Sequence, residues 1–257
     1  MDVGAPATYL ARVIASLLIA VLALSTSAKA EIIGGEESYR ACMTLAREKP
    51  KDGEERALGM IALKGGAPAR HCLATALLNL GRYADAADAF IDVAVATRDP
   101  VMRVEALGQA GNVWVMAGDL PRAVATFGEA IRLKDNDPDL YIDRAIALAA
   151  AANYYEALDD LNRALELDPR RAEAFVFRAT AYRYVDAFDL AFQDVESALA
   201  LKPGFPEALV ERGALRRLSG NDAGARADWI SVLQRAPESA AGDAARENLA
   251  KLDLKAP

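Results

Sequence analysis

Ala123, Ala157, Ala191 and Ala225 stand 34 residues apart, and Gly111, Ala145, Ala179 and Gly213 keep the same step at another phase. Pro169, Pro203 and Pro237 mark a third phase. A period of this length with small residues at fixed phase restricts the chain to stacked helical hairpins, each burying its apolar face only against its neighbours. Such a stack offers a long curved surface to a partner. It offers few of the buried polar clusters that chemistry needs.

Aligned on that period, the first copy runs from Ala67 to about Pro100, and the others start at Val104, Pro138, Ala172 and Pro206. Three extra residues around Asp99-Pro100-Val101 separate the first and second copies. At repeat positions 4, 7, 8, 11, 20, 24, 27 and 32 the third copy carries Tyr141, Arg144, Ala145, Leu148, Ala157, Leu161, Ala164 and Pro169. The fourth carries Phe175, Arg178, Ala179, Tyr182, Ala191, Val195, Ala198 and Pro203. The fifth carries Leu209, Arg212, Gly213, Arg216, Ala225, Trp229, Val232 and Pro237. This pattern resembles the tetratricopeptide repeat (TPR) family over two thirds of the chain. The resemblance implies an all-α, right-handed solenoid of hairpins whose first helices line an inner, concave face.

The physical reading of those positions stands without the name. Positions 8, 20 and 27 are where helices approach closely, so a larger side chain there would overpack at a cost of about 1–3 kcal/mol. Each hairpin turn carries a breaker: Gly81, Gly118, Asn153, Asp186 and Gly220. Each copy ends near a proline, which cannot continue a helix. The expected organisation is a leader over 1–30, a degenerate hairpin over 31–66, five repeats over 67–237, and a capping helix with tail over 238–257. The closing segment has Ser239 as a cap and Ala241, Ala245, Leu249 and Leu252 on one stripe. It would cover the apolar edge that the last repeat otherwise exposes.

Position 7 departs from the family pattern in a regular way. It is Arg144, Arg178 and Arg212 in the last three repeats, and position 23 is Asp160, Asp194 and Asp228 in the same repeats. The first two repeats have neither charge. Arg and Asp facing one another across each hairpin would explain this, because the planar guanidinium suits a carboxylate. The functional alternative is a charged ladder that binds a ligand. The structural reading is preferred, since each charge already has a partner in its own repeat.

The first thirty residues read as a targeting segment. A weakly cationic start precedes an apolar run from Val13 to Leu24, and Ala28-Lys29-Ala30 before Glu31 forms an Ala-x-Ala cleavage site. Twelve apolar residues span about 18 Å at about 1.5 Å each, short of a bilayer core of about 30 Å. A secretory signal cleaved after Ala30 is therefore expected, with an uncleaved anchor as the alternative. The leader and composition look bacterial, which places the mature protein in the periplasm with no stable membrane insertion. Without the leader the chain has 28 basic and 36 acidic residues. That balance, with no basic stretch interleaved with aromatics, makes nucleic acid and anionic membrane poor partners.

Export gives meaning to the two cysteines, Cys42 and Cys72. "SYRACMTLAREKP" and "DGEERALGMIALKGG" read as two helices with a break at Pro50-Lys51-Asp52-Gly53. Cys42 then lies on the first helix of this hairpin and Cys72 on the first helix of repeat one. First helices of successive hairpins run side by side, so a disulfide is expected. Two buried free thiols or a redox pair remain as alternatives.

The chain carries one histidine, His71, next to Cys72. Neighbouring helical residues point about 100° apart, so the two do not form a dyad, and the expected environment of His71 is solvent. No phosphate loop, Ser-His-Asp order or metal-ligand spacing occurs. No enzyme activity, metal or cofactor is expected.

What remains is the inner face. Family positions 5, 9, 12 and 13 of the first helices give, among others, the partner-binding candidates Asn112, Met116, Ile142, Ile146, Thr180, Arg183, Tyr184 and Arg217. An apolar groove with Arg and Tyr on its rim suits an amphipathic helix or extended peptide, and the excess Arg suits an acidic one. Some of these apolar residues also read as packing against neighbouring repeats. The expected function is a non-catalytic interaction scaffold of the cell envelope that binds a protein or peptide in the groove. The alternative is a constitutive subunit of a periplasmic complex, held through its convex face.

Overall fold

The computed structural model describes residues 35–254. The expected leader and its cleavage site lie outside these residues. The described chain is helical, with no strand among the described residues. The helices are α1 (Gly35–Glu48), α2 (Pro50–Ala62), α3 (Gly66–Asn79), α4 (Tyr83–Ala96), α5 (Pro100–Ala117), α6 (Leu120–Leu133), α7 (Pro138–Ala150), α8 (Tyr154–Leu167), α9 (Ala172–Tyr184), α10 (Phe188–Leu201), α11 (Pro206–Leu218), α12 (Asp222–Arg235) and α13 (Ala240–Asp253). Two compact units meet in the sequence between Ala147 and Leu148, within α7.

In the N-terminal unit each helix from α1 to α5 packs on its successor, and α1 also lies against α3. Phe90, Trp114 and Phe127 fill the core with Ala74, Ala86 and Ala123. The small residue at position 8 has a direct cause here. A Cβ on Gly111 would stand 2.6 Å from the Phe127 ring. Gly53, placed in the sequence reading at a helix break, instead lies inside α2, where a Cβ would come within 2.5 Å of the Ala46 Cα. The break falls one residue before Pro50, and Pro50 opens α2. Proline is well suited to that first helical position, where its missing N–H would have no partner. Pro100 does the same for α5, with Asp99 Oδ1 accepting from the Val101 amide at 2.9 Å. The three extra residues therefore lengthen α5 rather than a loop.

In the C-terminal unit α8 to α13 pack in sequence order, while α9 meets α11 and α11 meets α13. First helices thus lie side by side as a stack of hairpins requires. Trp229 sits over Gly213, where a Cβ would be 2.3 Å from the indole nitrogen, and that nitrogen donates to the Val210 carbonyl at 3.2 Å. Helix α13 lays Ala241, Ala245 and Leu252 on the same core. Ser239 starts it, its hydroxyl accepting from the Gly242 amide at 3.1 Å.

All five hairpin turns place position 15 in the left-handed region: Gly81 at φ 73°, Gly118 at 77°, Ala152 at 61°, Asp186 at 60° and Gly220 at 80°. In the third repeat the turn residue is Ala152 and not Asn153. An alanine there bears a steric cost that glycine avoids.

Candidate functional site

The charged ladder is built into the hairpins of the C-terminal unit. Arg178 donates from Nε and Nη2 to the two carboxylate oxygens of Asp194, both at 2.7 Å. Its remaining nitrogen, Nη1, donates to Asn162 Oδ1 at 2.8 Å. Arg212 repeats the arrangement with Asp228 at 3.1 and 2.8 Å, and reaches Glu196 at 3.1 Å. Each guanidinium therefore ties its own hairpin, 16 residues ahead, to the hairpin before it, 16 residues back. Asp228 also accepts from Arg216 at 2.7 Å. Arg144 falls in the N-terminal unit and Asp160 in the C-terminal unit.

At the start of the N-terminal unit Cys42 and Cys72 are joined, with sulfurs 1.99 Å apart and Cα atoms 6.1 Å apart. The disulfide binds α1 to α3. His71 beside it is only 6% exposed, which corrects the expectation of a solvated side chain. Tyr39 from α1 closes over it, with the hydroxyl 2.6 Å from Nδ1, and Phe90 stands 5.8 Å away on another side. Burial, with Arg47 nearby, holds the imidazole down at about 4. Burial pushes the Tyr39 phenol up to about 12. The imidazole is neutral, its Nδ1 shares a hydrogen bond with the Tyr39 hydroxyl, and Nε2 has no partner among the described residues.

The structure divides the eight inner-face candidates. Ile142 and Ile146 belong to the buried core. Thr180 is buried too, with its hydroxyl satisfied by the Val176 carbonyl at 3.0 Å. These three are buried and pack within the fold. Arg183 is the main correction. Its Nε donates to Glu211 Oε1 at 2.5 Å and its Nη2 to Oε2 at 3.3 Å, with side chains 13% and 4% exposed. Its guanidinium also lies 4.5 Å from the centre of the Tyr184 ring. The buried carboxylate holds it firmly in the charged form, so Arg183 is a neutralised structural group rather than a free rim cation. Glu211, at position 6 of the fifth repeat, went unread in the sequence.

Four candidates stay accessible. Tyr184 stacks on Tyr154, ring centres 4.6 Å apart and planes 7° from parallel. Arg217 is partly exposed and makes no ion pair among the described residues. Met116 is partly exposed as well. Asn112 donates to Asp143 Oδ2 at 3.1 Å. Asp143, another residue that the sequence reading passed over, has its carboxyl pushed up to about 7 by burial, with Asp139 and Asp137 adding like charge against the pull of Asn112.

Among the described residues no group of three or more His, Cys, Asp or Glu side chains could hold a metal ion. No helix among them is long and apolar enough to cross a membrane.

No protein-family model matches the chain. One curated relative, the small glutamine-rich tetratricopeptide repeat-containing protein 2 of Mycosarcoma maydis, is 31% identical over 72 residues, 28% of this chain. The match spans 20% of that protein's own length. Among solved structures, MamA from Desulfovibrio magneticus RS-1 (residues 41 to the end) superposes with a TM-score of 0.57 at 22% identity, covering 67% of this chain and 97% of the other. YrrB, described as a TPR protein with an unusual peptide-binding site, gives a TM-score of 0.52 at 19% identity, with 71% and 91% covered. The fold is that of the TPR α-solenoids.

Proposed function

We propose that this protein is a non-catalytic, exported interaction scaffold that binds a peptide or helix along the inner face of its hairpins. The observation that carries the reading is the division of polar groups on that face. On it Arg183 is neutralised by Glu211 of its own chain. Asn112 and Met116 in the N-terminal unit, and Tyr184 and Arg217 in the C-terminal unit, remain as accessible side chains. The peptide-binding site attributed to YrrB supports the use of such a fold for this purpose. Export to the periplasm, with cleavage after Ala30, is supported by the apolar leader and by the Cys42–Cys72 bond, which an oxidising compartment favours.

A second reading rests on the exposed apolar side chains Val95, Tyr155 and Leu190 on the second helices α4, α8 and α10, at 77%, 71% and 45% exposure. These would suit a permanent partner held from outside. Crosslinking and capture of the tagged protein in its own periplasm separate the two. Loss of the partner on changing Tyr184 and Arg217 to Ala, with Val95 and Tyr155 changes silent, supports the groove. The converse result refutes it. Intact-mass measurement of host-derived protein tests the leader, and a mass retaining residues 1–30 would overturn cleavage.

A further inference from the structure

One ion pair between adjacent repeats has a counterpart elsewhere in the chain where only the carboxylate is present. Glu211 stands at position 6 of its repeat and is neutralised by Arg183, 28 residues earlier at position 12 of the preceding repeat. Asp143 stands at the same position 6, on α7. The residue 28 before it, on α5, is Val115. The carboxyl is half-buried where that of Glu211 is buried, and the guanidinium is missing. Asp143 has only the Asn112 amide as a hydrogen-bond partner and no cation among the described residues. Desolvating a carboxylate without a cation is unfavourable and is relieved by protonation or by a paired charge.

We propose that the inner face beside Asp143 takes a cationic side chain, an arginine or lysine of the bound peptide, in the space that the Arg183 guanidinium occupies beside Glu211. The inference rests on the peptide-groove reading and deepens it. Charge complementarity commits the occupant, since the Asp143 carboxyl is held by the Asn112 amide and has no cation of its own chain paired to it among the described residues. Asn112 holds one carboxylate oxygen and leaves the other for the incoming donor, and Met116, one turn further along α5, offers an apolar wall for the aliphatic stem. The ligand class therefore differs from the acidic one that the inner-face arginines suggest in the sequence.

The test pans a phage-displayed library of random twelve-residue peptides against the full chain, the Asp143→Asn variant and the Val115→Arg variant. Peptides selected by the native chain should share an Arg or Lys. Synthetic copies should bind both variants at least about tenfold more weakly by fluorescence polarisation, because Val115→Arg supplies the cation internally. In that variant the Asp143 carboxyl, followed by carbon NMR, should also titrate back toward the ordinary carboxylate range. Asp143→Asn should keep the native melting temperature, and it carries the test alone if Val115→Arg does not fold. Selected peptides without a cation, or indifferent to Asp143→Asn, overturn this inference and leave the groove intact. Selection of no inner-face peptide at all overturns the groove reading and this inference with it.

Discussion

Removing Asp194 should expose what the arginine ladder contributes. In the native chain the Arg178 side chain is 19% exposed and that of Asp194 is 6% exposed. The carboxylate takes two of the three donor bonds, and Asn162 takes the third. Asp194→Ala leaves the guanidinium with Asn162 alone. Breaking a fully buried pair costs about 3–5 kcal/mol. Arg178 reaches partly into solvent, so screening and rehydration lower the expected loss to about 2–3 kcal/mol. Replacing both residues, Arg178→Leu with Asp194→Ala, removes the stranded charge and should recover part of this, since the guanidinium is no longer left without its carboxylate. The coupling in the cycle should be about 2 kcal/mol. Asn162→Ala should cost about 1 kcal/mol by itself, and more in the Asp194→Ala background, where it removes the last partner of Arg178.

Urea denaturation followed by circular dichroism measures these values. The m-value must stay constant across the set, because hairpin stacks can lose cooperativity between repeats. Losses that add within about 0.5 kcal/mol would mean that the three groups do not act together. The bridge between successive hairpins would then be only a crossing of side chains.

The disulfide closes a loop between residues separated by 30 positions, so Cys42→Ser with Cys72→Ser should destabilise by about 3–4 kcal/mol; an unchanged denaturation midpoint would refute this. Ala152→Gly should stabilise by up to about 1 kcal/mol by relieving its φ of 61°, and a lower melting temperature would contradict it. His71 is held at about 4, below its ordinary value near 6.5, so it takes up a proton more readily unfolded than folded. Its contribution to stability is therefore full above pH 6.5 and lost as pH falls toward 4; His71→Gln should flatten that part of the melting-temperature profile. Arg183→Ala should destabilise markedly by stranding Glu211, whereas Arg217→Ala should be nearly neutral, and equal effects on the melting temperature would overturn that contrast.

The hairpin stack was legible because its cause is periodic. Small residues at position 8 recur every 34 positions, and Phe127 over Gly111 or Trp229 over Gly213 shows the contact that demands them. The turn at position 15 was legible where it was glycine, and at Asp186. It was hidden at Ala152, because the residue type carries no signal and the backbone is set by the helices on either side. Pro50 and Pro100 read as breaks, yet each opens a helix, since proline ends one helix and starts another with equal ease. His71 was misread from its own helix alone. Its burial comes from Tyr39, 32 residues earlier on α1, and no local pattern reports that. Glu211 was missed for a related reason. The Arg183–Glu211 pair spans 28 residues across a repeat boundary, outside the steps of 34 and 16 that the repeat and its ladder display.

That third step separates fold from function in this chain. Where position 12 is Arg and position 6 of the next repeat is Glu, the pair closes on itself and stabilises two adjacent first helices. At Asp143 the carboxylate half is present, while position 12 is Val115. At Arg217 the guanidinium half is present, and the residue 28 further on is Ala245, fully buried in the capping helix. A repeat protein copies its internal contacts with its period, so a charge that recurs with its partner belongs to the scaffold. Asp143 and Arg217 each hold one half of such a pair without the other among the described residues, and the peptide proposed above would supply the complementary charge.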